Sequence, residues 1–213
     1  MSPIVHPARR VVAGLACGVL LTGFAGCTAD NKQEPSSPPL PGASTGAAPT
    51  LAAKPVPMQV QVTRVSGTLR KARQGVVKRR VGRAISSYFD AAYLGGEYPR
   101  SDFDKAFSTF SDGAARRARG DRGLLTNANI GKSLAGVTAK RKDARLSVLA
   151  PKNVAAGVTA RIRLVFLADS EEAQDTRVII SGRLLLMRMK SGRWHIFGYD
   201  VARSAVPVGK RGS

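Results

Sequence analysis

The sequence predicts an α+β domain in which N-terminal helices pack on a curved antiparallel sheet of four to five strands. Two observations carry this. Between Val77 and Phe110 the apolar residues recur at helical spacing, whereas from Leu134 to the C-terminal region they alternate with polar ones. Helices first and strands afterwards is the order of an α+β fold.

In chain order, Met58, Val60 and Val62 alternate with Gln59, Gln61 and Thr63, a short strand. Val77, Val81, Ile85, Phe89 and Tyr93 then recur every fourth residue, with Ala84, Tyr88 and Ala92 widening the stripe, so a long amphipathic helix is expected. Gly95-Gly96 is a C-cap signal. Ser101 and Asp104 stand at capping-box spacing before Phe103, Ala106, Phe107 and Phe110, which predicts a short second helix. A third, very basic one is expected over Gly113 to Arg122, with Asp112 as N-cap.

The strand region opens with Leu134 to Lys140 and Ala144 to Leu149, read as a first pair. Val158, Ala160, Ile162, Leu164 and Phe166 follow, then Val178, Ile180, Leu184 and Leu186, and finally Trp194 and Ile196. Asp169 to Asp175 and Lys190-Ser191-Gly192-Arg193 supply turns. Residues 58–205 form one globular domain, and 206–213 read as a flexible tail.

The N-terminus reads differently. His6, Arg9 and Arg10 precede an uncharged apolar run, Val11 to Phe24, that falls short of the roughly 20 residues a spanning helix needs. Phe24-Ala25-Gly26-Cys27 resembles the lipobox of bacterial lipoproteins, with Phe where Leu is usual. That resemblance implies a signal peptide over 1–26, an acylated Cys27, and a chain held on the extracytoplasmic face of the cell membrane. Residues 27–57 are rich in Pro, Ser, Ala, Gly and Thr and read as a disordered tether. With Cys17 inside the leader, the mature chain keeps only Cys27, so an internal disulfide is excluded.

The long helix, the Phe-rich short helix and a meander closing on Gly192-Arg193-Trp194-His195-Ile196-Phe197-Gly198-Tyr199 resemble the nuclear-transport-factor-two-like superfamily of cone-shaped α+β rolls. The resemblance implies a fold, not a function, since such domains serve as isomerases, dehydratases, binding modules and assembly scaffolds. If the cone is open, Tyr88, Asp200 and His195 are the candidate cavity residues, with Tyr93 and Asp104 beside them. Strict alternation places Asp200 on the face of Trp194 and Ile196, hence inside, and His195 outside. Tyr88 and Tyr93 fit the core, and Asp104 fits a cap.

Catalysis finds little support. One His survives in the mature chain, and Gly131-Lys132-Ser133 lacks the earlier Gly of a phosphate-binding loop. No metal or other cofactor is expected.

Charge is the stronger signal. From Met58 onward there are 30 Lys and Arg against 12 Asp and Glu, a net of +18. Lys78, Arg79, Arg80 and Arg83 gather on the long helix as candidate anion-binding residues, and Arg161, Arg163 and Arg183 add to them from the outward sheet face. For an exported domain the expected anions are phospholipid headgroups or phosphate-bearing wall polymers, with nucleic acid not expected. The mixed pattern at Leu184 to Met189 also predicts a protein partner, or a second copy, on the sheet face. A binding or scaffold lipoprotein is thus the leading reading. A cone-fold enzyme on a small apolar ligand and an accessory subunit of a membrane complex are its alternatives.

Overall fold

The chain divides after Thr50, and the computed structural model describes residues 55–170 and 173–208 of the second unit. The expected signal peptide, Cys27 and nearly all of the tether lie outside the described residues.

Strand β1 (Gln59–Gly67) leads into helix α1 (Lys71–Phe89), whose last turn continues as a π turn, Asp90–Leu94. The Gly95 amide donates to the Asp90 carbonyl, and Gly96 takes φ +88°, so the helix stops where the Gly-Gly pair predicts. A 3-10 turn (Asp104–Phe107) and the short helices α2 (Asp112–Gly120) and α3 (Arg122–Leu125) follow. The remaining strands are β2 (Leu134–Ala150), β3 (Gly157–Ser170), β4 (Thr176–Arg188) and β5 (Trp194–Pro207).

The five strands form one sheet in the order β1-β2-β3-β4-β5. The sheet is mixed rather than wholly antiparallel. Strands β2 to β5 are an antiparallel meander, but β1 lies parallel to β2, pairing Gln59 with Asp143 and Gly67 with Ala150. Parallel neighbours need a long crossover, and α1 with the short helices supplies it.

Sheet and helices share one core. Val77, Val81, Ile85, Tyr88 and Phe89 of α1 are buried against Leu146, Ala160, Leu164, Phe166, Ile180, Leu184 and Ile196 of the sheet.

Four further expectations change. The two runs read as a strand pair are one strand, β2, interrupted by a bulge at Lys140. The bulge shifts the alternation, so Lys142 points to the helix side with only 11% of its side chain exposed and its amine 3.7 Å from Asp90. Ser101 does not cap the second helix. That element is a single 3-10 turn, and the Asp102 carboxylate accepts from the Asp104 amide instead. Asp112 is the first residue of α2 rather than its cap, which falls on Ser111 without a side-chain hydrogen bond. Finally, Val206 and Pro207 pair with Arg177 and Thr176, so β5 runs two residues into the expected tail.

Candidate arginine surface of the sheet

The expected cavity residues do not converge. Tyr88 is fully buried and donates to the Leu125 carbonyl at 2.9 Å, while Tyr93 donates to Leu124 at 3.0 Å. Their rings fill the space between helix and sheet: Tyr88 meets Phe110 edge-on at 5.2 Å, and Tyr93 lies 6.0 Å from Phe166. Burial pushes the Tyr88 hydroxyl well above the usual phenol range, with Tyr93 and Tyr199 adding to the shift. These tyrosines are neutral core residues, as their place on the apolar stripe suggests. Asp104 is exposed at the start of the 3-10 turn.

Asp200 is outside, against the strict alternation. Leu186 pairs with Ile196 and Leu185 with Gly198, which leaves Phe197 as an extra residue in β5. That bulge reverses the parity, so Tyr199, Val201 and Arg203 turn inward and Asp200 turns to solvent. Its carboxylate accepts from Arg183 Nη2 at 2.6 Å and Nε at 3.1 Å. His195 is half-buried, with Nδ1 3.2 Å from the Phe110 carbonyl oxygen.

The same bulge turns inward a residue that sequence reasoning missed. Arg203 donates to the Thr126 carbonyl at 2.9 Å and to Asn127 Oδ1 at 3.3 Å. Asn127, itself fully buried, donates to the Tyr93 carbonyl and the Tyr98 hydroxyl, both at 3.0 Å. Burial lowers the Arg203 pKa, opposed by Tyr93 and Tyr98. Every polar atom named here finds a partner within the group, which makes it a structural lock across α1, the Thr126-Asn127 loop and β5.

Outside, the register assembles a different feature. One row runs across all five strands: Gln61, Arg145, Arg161, Arg183 and Asp200. The next row brings Gln59, Asp143 and Arg163 together. Neighbouring strands lie about 4.8 Å apart, and like charges directly opposite are destabilising. Arg183 is offset by Asp200, and Arg141 by Asp143. Arg145, Arg161 and Arg163 form no ion pair among the described residues, and all three are exposed. They border a depression of about 660 Å³, completed by Gln59, Gln61, Arg141 and Asp143. Arg161 and Arg163 are visible in the sequence as outward basic positions, but Arg145 joins them only through register.

The basic cluster of α1 is split by the helix. Lys78 and Arg79 border a groove with Met58 and, in β1, Val60, whereas Arg80 flanks Trp194 and Arg193 on the other side, and Arg83 stands between the two.

Among the described residues, no group of His, Cys, Asp and Glu is placed to hold a metal ion, and no helix is long and apolar enough to cross a membrane. No protein-family model matches the chain, and neither the curated proteins nor the solved structures contain a match to it.

Proposed function

We propose that this chain is a bacterial envelope lipoprotein, anchored through an acylated Cys27, whose domain is a non-catalytic binding module for a phosphate-bearing polyanion of the cell wall. The domain is read as a cone-like roll with a filled interior. The observation that carries the binding function is the row Arg145–Arg161–Arg183 with Arg163 beside it, three of these guanidiniums being in no ion pair among the described residues. A multivalent anion lying across the strands relieves that repulsion and supplies bidentate acceptors to each fork. A bordered depression favours a polymer chain over a flat surface. The separate places of Tyr88 in the core, Asp200 on the solvent side and His195 at a half-buried edge support the binding reading over that of a cone-fold enzyme.

Two measurements test the proposal. The chain from Thr28 onward should bind a glycerol-phosphate wall polymer in titration calorimetry, and Arg145→Gln with Arg161→Gln should weaken that binding at least about tenfold. Unchanged binding in the double variant refutes the assignment of the surface. Separately, Cys27→Ala should release the protein from membranes, and retention would refute the anchor.

A further inference from the structure

One end of the sheet carries a second, independent surface. At this end β2 passes to β3 through residues 151–156, β4 turns into β5 through 189–193, and α1 begins. The three are tied together. Asn153 Oδ1 accepts from the Arg70 amide and the Asn153 carbonyl accepts from Arg73, while the Arg188 amide at the end of β4 donates to the Ala156 carbonyl. Lys152 and Asn153 both sit at positive φ, 50° and 61°, a conformation costly for most non-glycine residues, and at Asn153 it is held by those bonds.

Five of the seven large apolar side chains exposed among the described residues lie at this end: Val76, Leu149, Val154, Met187 and Met189. Leu149 and Met187 are on one level of the sheet, each opposite Gly157. Around them stand Arg70, Lys71, Arg73, Lys152, Arg188, Lys190 and Arg193, all exposed. Segments 64–89, 144–168 and 176–199 contain no Asp or Glu at all. At the opposite end of the same strands, Asp169 closes β3 and Asp175 precedes β4. Among the described residues, the carboxylates of this part of the sheet thus lie at one end, while the other is basic and apolar.

From this polarity we infer that the end formed by Leu149, Lys152, Val154, Met187, Met189 and Lys190 docks on a bilayer containing anionic phospholipid. Exposed apolar residues ringed by cations, with no carboxylate among them, match the headgroup boundary, where side chains enter the acyl layer and Lys and Arg meet phosphate. Docking at this end leaves the arginine row on the sheet face free, so one element positions the other. The physiological setting rests on the lipoprotein reading, because only an anchored domain is held beside a membrane; the docking chemistry does not.

The unacylated chain from Thr28 onward isolates that chemistry. It should sediment with vesicles of phosphatidylglycerol and phosphatidylcholine and not with phosphatidylcholine alone. Lys152→Gln, Lys190→Gln and Arg193→Gln together should weaken partitioning on the order of a hundredfold. Leu149→Gln, Val154→Gln and Met189→Gln, all at exposed positions, should also weaken it and remove what binding survives at 0.5 M salt. Arg145→Gln, Arg161→Gln and Arg183→Gln should leave vesicle binding in place. The inference is overturned if the chain ignores anionic vesicles at low salt, if either triple at the end has no effect, or if the sheet-face triple abolishes binding. None of these outcomes depends on acylation, and none bears on the wall-polymer titration.

Discussion

Arg183 and Asp200 face each other directly across β4 and β5 on the solvent side of the sheet, with Nη2 2.6 Å from Oδ2. Both side chains are more than half exposed, 55% and 70%. Exposed pairs contribute little, so Asp200→Asn should change the unfolding free energy by less than about 1 kcal/mol. A thermal melt of the variant checks this. A buried cavity carboxylate would give a much larger effect.

Asn127 should behave in the opposite way. Its side chain joins the Tyr93 carbonyl, the Tyr98 hydroxyl and Arg203 in a place without solvent. Asn127→Ala leaves those groups short of partners and should cost about 2 to 3 kcal/mol in urea unfolding. A cost below 1 kcal/mol would show that the lock does not hold the loop.

Gly182 sits in the middle of β4 at φ +143°, opposite Ile162 and Val201. A Cβ there would meet the Asp200 carbonyl oxygen and the Val201 Cα. Backbone cannot move aside as a side chain can, so Gly182→Ala should destabilise by more than about 2 kcal/mol. Gly120, which has nothing near its Cβ position, is the control: Gly120→Ala should change stability by less than about 1 kcal/mol.

All four tyrosines of the chain are shifted upward in the fold. Burial is the largest cause in each, and Tyr199 is pushed up to about 12, with its hydrogen bond to Asp121 adding to the effect. In the unfolded chain these groups lose their protons near 10. Below that pH their contribution to stability is complete. As pH rises from 10 through 12 the unfolded state ionises first, and stability falls. An absorbance titration should show little tyrosinate near pH 10, then a rise that coincides with loss of the far-ultraviolet dichroism of the fold. A full phenolate signal at pH 10.5 with the fold intact would contradict the burial of Tyr88 and Tyr93.

Periodicity by itself determined that α1 is a helix with Tyr88 on its buried stripe, that the stripe runs on to Tyr93 in the π turn before Gly95-Gly96 ends it, and that β3 and β4 alternate as they do. Each of these rests on local spacing, and burial of one apolar face is enough to impose it. The outward positions of Arg161, Arg163 and Arg183 were legible for the same reason.

What only the tertiary structure decided depends on register. A bulge inserts one residue without leaving a mark in composition, yet it reverses every position beyond it. At Phe197 this sends Asp200 out and Arg203 in, and at Lys140 it joins two apparent strands into one and turns Lys142 inward. Pairing β1 parallel to β2 sets Gln61 beside Arg145, and the meander then sets Arg145 beside Arg161. These neighbours are 84 and 16 residues apart in the chain, so no local pattern brings them together; backbone hydrogen bonding between strands does.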